Sequence, residues 1–459
     1  MPLRLSTCIG ALSLVAALGV TAASAAVPVI QQLGSGDQTV LERRGSFGIG
    51  LGWNAEGLPA ISAIDPRGAA AIAGIEIGDV VLRVGEQTVE GAEQVQRERV
   101  FAVRAGAPIK VAVRRNGVAR TFIVTPKEAP SGSLGGAGVV AGSVRTPQGL
   151  ARTFVSVPND LGRNEKRPAV FLIQGSPCIS IELQPGPSWM RRVLQPISDA
   201  GYVTFRVEKP GVGDSQGVGC AACGFEDELT AYEAGLEQLL SLDFVDPERV
   251  VIFGFDIGGM VAPILASDAP VAGIATFGAP IRSWHEQLMH RVRSAFESTG
   301  SPQFAVEDRM LDARALLSKI FSDDATRVEI LDRHPEFDEL LSQTLIGSRS
   351  PAYHRQLDRR NVAAAWEGVL GPVLLLHGEF DAMTPLDESR RIADMLNEFD
   401  SGRASLIVLP GMDHLTTVHG SALQARQRPG QGDTTDALTR TFLVWMEGLV
   451  AREVHPPIR

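Results

Sequence analysis

The chain has 459 residues, 44% of them hydrophobic and 21% charged, a globular composition too long for one ordinary domain. Its formal net charge is -10 and no run of Lys or Arg stands out, which argues against a nucleic-acid or anionic-membrane partner. Residues 1–26 read as a signal peptide: Arg4, an apolar stretch over 9–20, then Ala23-Ser24-Ala25 as a small-residue cleavage site. The stretch is too short to span a bilayer and no later one is long enough, so the expected destination is the periplasm or beyond, with no membrane span after cleavage. Cleavage leaves Cys178, Cys220 and Cys223, an odd count in a compartment that permits disulfides. Cys220 and Cys223 form a CxxC, but with no second CxxC and no nearby histidine no metal site is expected.

After a leader at 27–44, residues 45–126 alternate short β-type runs with glycine, and a small mainly-β domain is expected. Strands are read at 47–51, 59–64, 109–114 and 119–125, a turn and strand at 78–85, a glycine-terminated helical segment at 68–75 and a polar helix at 91–105. The run Pro66–Val89, PRGAAAIAGIEIGDVVLRVGEQTV, resembles the PDZ domains of bacterial envelope proteases in its Ala-Gly-hydrophobic-x-x-Gly-Asp core. The resemblance implies peptide binding by strand addition, with a terminal carboxylate held by amides of a glycine loop at Phe47, Gly48 and Ile49. A fold that only packs on its neighbour is equally compatible with the motif. The Pro-, Gly- and Ser-rich residues 127–138 read as a linker.

From 139 to 459, Val/Ile/Leu-rich runs at 169–173, 202–207, 250–253, 272–277, 373–376 and 405–409 alternate with helical stretches. Runs without polar alternation fit strands buried on both faces, hence an α/β fold with a doubly wound, mostly parallel sheet. Strand signal disappears over 281–365, where charged helical sequence predicts a cap above the carboxyl edge of the sheet. Cys178 follows one core strand and Cys220 or Cys223 the next, which places a disulfide between Cys178 and one of the two at the rim of the site.

The run Val250–Gly259, VVIFGFDIGG, is a buried strand, a tight glycine-flanked turn and a helix start. It has the form of the nucleophile elbow G-x-S-x-G, with Asp256 in place of serine. Asp381 follows the run at 373–376 and His414 the run at 405–409, giving the order nucleophile, acid, base. Asp413 is a second carboxylate beside His414, with a poorer context than Asp381. Backbone N–H groups of Ser176, in Gln174-Gly175-Ser176, and of Ile257 are expected to form the oxyanion hole. With the segment Arg206–Ser215, RVEKPGVGDS, these motifs make residues 140–450 resemble bacterial α/β-hydrolases of the prolyl-oligopeptidase-like and serine-aminopeptidase groups. The resemblance implies a hydrolase of small-molecule esters or peptide bonds, with no cofactor.

Asp256 leaves three readings open. A carboxylate is a poor acyl acceptor, because it yields a reactive anhydride, so an ester or peptide hydrolase with an altered elbow is expected to be slow. Aspartate suits attack on sp³ carbon, as in epoxide hydrolases and haloalkane dehalogenases. Here, however, the residue directly after the nucleophile position is Ile257, where dehalogenases place Trp, and of the three tyrosines only Tyr353 lies in the cap, where epoxide hydrolases use a pair. The third reading is a catalytically inactive domain that binds ligands beside the PDZ-like unit.

Overall fold

The structure, a computed structural model, describes residues 41–54, 58–89, 103–135, 137–183, 188–322 and 325–451. The segment read as a signal peptide and most of the expected helix at 91–105 lie outside the described residues.

The first unit is a sheet ordered β2 (Ile49–Trp53), β3 (Pro59–Ile64), β4 (Val80–Val84), β6 (Ile109–Arg115) and β7 (Val118–Val124), with β5 (Gln87–Thr88) paired to β4. Helix α1 (Ala69–Ala73) ends at Gly74, whose φ of 94° is a left-handed stop that favours glycine. Phe47, Ile61, Val81, Val111, Val113 and Val124 fill a core of its own. The linker reading needs correction at both ends. β8 (Lys127–Glu128) pairs with β1 (Gly45–Ser46), and Ala137 and Gly138 already belong to the next sheet. The end of the leader is also structured: Arg43 reaches Glu182 at 2.5 Å and Asp214 at 2.6 Å, and Arg44 reaches Glu182 at 2.8 Å.

The second unit is built on an eight-stranded sheet: β9 (Ala137–Thr146), β10 (Gly149–Pro158), β12 (Val203–Val207), β11 (Arg167–Ile173), β13 (Val245–Phe255), β14 (Gly273–Phe277), β15 (Val373–Gly378) and β16 (Ala404–Leu409). β9 and β10 form an antiparallel hairpin, β10 runs antiparallel to β12, and the pairs from β12 to β16 are parallel. The hairpin was not expected from the sequence. Glycines in AGVVAGSVRT resemble linker, yet every residue from Gly149 to Pro158 finds a partner there.

Apolar side chains on both faces of β11–β15 meet separate clusters. Phe171, Ile252 and Leu375 face one, Val170, Phe253 and Leu374 the other. Flanking helices include α2 (Trp189–Asp199), α3 (Phe225–Leu240), α4 (Gly258–Asp268), α11 (Leu386–Phe399) and α12 (Ala437–Val450). Between β14 and β15 the cap runs through α5 (Trp284–Ser298), α6 (Gln303–Ser322), α7 (Arg327–Arg333), α8 (Asp338–Gln343), α9 (Pro351–Asp358) and α10 (Val362–Glu367). No helix of the described residues is long and apolar enough to cross a membrane.

Cys178 and Cys220 are joined by a disulfide that closes a loop with a sequence separation of 42, and Cys223 is a buried free thiol. Cross-linking a loop of that size removes enough unfolded-chain entropy to stabilise the fold by about 4 kcal/mol in the chain-entropy model, less whatever strain the bridge carries. Thiol titration of the unfolded, unreduced protein is expected to leave Cys178 and Cys220 unreactive, and Cys178→Ser with Cys220→Ser to cost ~2–4 kcal/mol in denaturant unfolding. Labelling of either cysteine before reduction would contradict the pairing.

Candidate active site

β13 delivers Asp256 at the carboxyl edge of the sheet, and the turn into α4 is steric in origin. Asp256 has φ 56°, a region that L residues rarely adopt. A Cβ on Gly258 would come within 2.3 Å of the Ile173 carbonyl oxygen, so only glycine lets α4 press this closely on β11.

The loop after β15 carries Asp381, whose side chain is out of solvent. Its Oδ1 accepts from the N–H groups of Met383 and Thr384 at 2.9 and 2.8 Å, and its Oδ2 lies 2.7 Å from His414 Nδ1. Gly278 lies beneath this pair, where an added Cβ would meet Asp381 Oδ2 at 2.9 Å and His414 Nδ1 at 3.1 Å. Asp413 is turned away. It accepts from the N–H and hydroxyl of Thr417 and from Gly430 N–H, and lies 2.9 Å from His419 Nε2. Asp413 thus shapes the loop that carries His414 and makes no bond to its ring.

His414 Nε2 is 3.7 Å from Asp256 Oδ1. Ser176 N–H donates to Asp256 Oδ2 at 3.1 Å, so an amide of the expected oxyanion hole already holds the carboxylate. Ile257 begins the α4 turn, 3% exposed. Asp256, Asp381, His414, Ser176 and Ile257 therefore converge. Phe47, Gly48 and Ile49 belong to the other unit, where Gly48 has φ 71° and its N–H donates to Ser46 Oγ at 3.2 Å. Phe47 and Gly48 lead into β2, which begins at Ile49 and is an edge strand among the described residues.

Arg291 was not singled out from the sequence. It projects from α5 of the cap and donates to both carboxylate oxygens of Asp256 and, at 3.4 Å, to Thr384 Oγ1. Its guanidinium lies 5.5 Å from the Trp284 ring centre. A signal did exist. Trp284, Leu288, Arg291 and Val292 share one helical face, so the arginine stands within an apolar stripe rather than on the solvated side.

Charge follows from this geometry. Burial alone would raise the Asp256 carboxyl, but Arg291, His414 and the Ser176 amide outweigh it and bring it down to about 2. Burial would likewise lower His414, yet Asp381 and then Asp256 hold it above its ordinary 6.5, against Arg291. Asp381 stays below its usual value despite burial because His414 lies against it. Cys220, Cys223 and Glu228 place sulfur and oxygen atoms within 4.8 Å of one another. Cys220 is bonded to Cys178 and Glu228 to two cations, a donor set already committed to other partners.

The chain matches the model of the alpha/beta hydrolase family over residues 170–426. It is 35% identical over 91 residues to a probable periplasmic serine endoprotease DegP-like protein of Halomonas elongata, covering 20% of this chain and 19% of that one. This chain thus spans about a fifth of the length of that curated relative. Among solved structures, an acylaminoacyl peptidase of Pyrococcus horikoshii aligns at TM-score 0.43 and 15% identity, covering 75% of this chain and 46% of that one. Est1E of Butyrivibrio proteoclasticus aligns at TM-score 0.40 and 15% identity, covering 68% and 99%. The family match covers more than half of the 459 residues and includes the elbow, Asp381 and His414: the chain belongs to the alpha/beta hydrolase family.

Proposed function

We propose that this protein is a slow hydrolase of ester or amide bonds in which His414 activates water directly and Asp256 is not the acyl acceptor. The observation that carries this reading is the engagement of both Asp256 oxygens, Oδ1 by Arg291 and Oδ2 by Arg291 and the Ser176 amide. A carboxylate held in that way and ionised down to about pH 2 is a weak nucleophile toward a carbonyl, and the anhydride it would form returns readily to reactants. In the proposed step His414 Nε2 takes a proton from water as the water oxygen bonds to the acyl carbon. The resulting oxyanion accepts from Ile257 N–H and from Ser176 N–H once Asp256 shares it. The C–O or C–N bond then breaks, and His414 returns the proton to the leaving group. Asp381 keeps the ring in the tautomer that this transfer needs. Turnover is slow because Asp256 competes for Ser176 N–H and holds His414 in its protonated form.

Asp256→Ser alone leaves Arg291 buried without its carboxylate, a change that typically costs ~3–5 kcal/mol of stability. Asp256→Ser with Arg291→Met avoids that penalty and provides serine, histidine and aspartate at the elbow. It is expected to raise kcat/KM on p-nitrophenyl esters by about tenfold or more, since a general base working on a hydroxyl contributes ~10²–10⁴-fold. Neutral His414 is the active form, so wild-type activity should climb with pH through an ionisation above 6.5, and in the double variant that limb moves to lower pH. A double variant less active than wild type on every ester, with the limb unmoved, would sink this reading.

A second reading has one observation in its favour. Ser176 N–H on Oδ2 is where an oxyanion donor stands if water attacks Cγ of an ester formed between Asp256 and an sp³ carbon. The leaving-group side gives it less support. Tyr353 is fully buried, with the Arg349 guanidinium 3.8 Å from its ring centre and Phe225 packed edge-on. Rapid quench with styrene oxide followed by intact-mass measurement should leave Asp256 unmodified; an adduct on it would favour this second reading.

We further propose that the first unit is a PDZ-like peptide binder and that the protein is exported. Support comes from the Pro66–Val89 motif, the position of β2 at the end of the sheet order among the described residues, and the composition of residues 1–26. A peptide with a free hydrophobic carboxyl end should bind more tightly than its amide, and N-terminal sequencing of protein from the native envelope should start near Ala26. Equal affinity would leave a unit that only packs, and an intact Met1 would contradict export.

A further inference from the structure

The Ser176 amide is one end of the Gly175–Ser176 peptide group, and the other end is occupied by a buried cation. Lys209, beyond β12, is 1% exposed and donates from Nζ to Gly175 O at 2.6 Å and to Ser176 O at 3.2 Å. Its ammonium is paired with Glu228 Oε1 of α3 at 2.7 Å. The other Glu228 oxygen is paired with Arg349, which donates to Ser176 O at 3.0 Å and lies 3.6 Å from Cys178 Sγ. One carboxylate and two cations, all out of water, thus support the loop that presents Ser176 N–H to the active site. A carbonyl needs only a neutral donor, and burying an ammonium carries an effective penalty of several kcal/mol. The charge has a use that a neutral donor lacks. A cation on the oxygen of a peptide group draws electrons along its C–N resonance, leaving the N–H more positive and a stronger donor to an anion.

We propose that Lys209 is a positioning residue for hydrolysis, acting through the Gly175–Ser176 peptide group to strengthen and aim the Ser176 N–H at the developing oxyanion. This deepens the proposed function and rests on Ser176 N–H serving the reaction. The other donor supplies a contrast within the same site. Ile257 N–H belongs to the Asp256–Ile257 peptide group, whose oxygen accepts from the neutral Gly259 N–H at 2.8 Å and, among the described residues, faces no cation. The charged and titratable groups facing Lys209 are Glu228, Arg349 and the Cys223 thiol. Burial lowers Lys209 to about 8 against the pull of Glu228, and raises Cys223 to about 11.

The test reads the two amides directly in protein labelled with ¹⁵N-serine and ¹⁵N-isoleucine, Ser176 being assigned by its loss in Ser176→Ala. As pH rises through about 8, the Ser176 amide proton should move upfield in a step that Ile257 does not share. In Lys209→Met the proton should already lie upfield and show no step, and kcat should fall ~10-fold with KM unchanged, part of the 10²–10³-fold that a whole oxyanion donor contributes. A Ser176 proton at the same position in both proteins would overturn the proposal, and so would a step in the wild type that Ile257 follows equally. If Lys209→Met does not fold, the titration is read in His414→Gln, which removes the imidazole that also titrates above 6.5 beside Asp256: a Ser176 step that persists there supports the proposal, and its disappearance overturns it. Because the resonances need no turnover, a clear Ser176 response with no hydrolysis of any substrate would refute the hydrolase reading and keep this coupling. Turnover with silent resonances would do the reverse.

Discussion

At the tip of the elbow a buried carboxylate meets a buried guanidinium, and most of the site is arranged around that contact. Asp256 comes from the sheet and Arg291 from the cap, so the same ion pair seats the cap and sets the charge of the active centre. Neither group is tolerable in that position alone: an ion out of water costs several kcal/mol unless it is matched. The pairing also fixes how the contact responds to acid. Asp256 has a folded value of about 2 against an ordinary 3.8, so its contribution is fully present above 3.8 and is lost as pH falls through about 2.

The neighbours follow from that charge. With Asp256 ionised on one side and Asp381 on the other, His414 favours its protonated form, and its stabilising contribution is present below 6.5 and fades as pH rises through its raised folded value. Two buried clusters each set one carboxylate between two basic groups. Arg291 and His414 surround Asp256, and across the loop that carries Ser176, Lys209 and Arg349 flank Glu228. The disulfide between Cys178 and Cys220 ties this loop to the segment beyond β12 that supplies Lys209. The loop is therefore held by a covalent bond on one side and by buried ion pairs beneath.

Much of this was legible in the sequence where local chemistry dictates it. Strands such as β11 and β15 are runs of Val, Leu and Ile because both faces are covered. The elbow shows itself because Gly254 and Gly258 allow backbone to approach backbone in a way that a side chain would block. Asp381 and His414 stand at strand ends, and chain order alone separates them from ordinary loop residues. The β9–β10 hairpin was hidden because its glycines resemble a flexible joint, and pairing between distant segments leaves no short-range mark. Arg291, Arg349 and Glu228 were hidden for a different reason. Each is one charged residue among many, and only the folded chain shows that Arg291 meets a carboxylate 35 residues away and that Arg349 and Glu228 meet across 121.

The central claim is that the oxygen delivered to product comes straight from water and never resides in Asp256. Prolonged turnover of an ester in H₂¹⁸O, followed by mass analysis of the peptide that contains Asp256, tests it most directly. The account predicts ¹⁸O in the released acid and an Asp256 peptide of unchanged mass. Accumulation of ¹⁸O in the Asp256 carboxylate would contradict it and make that carboxylate the nucleophile.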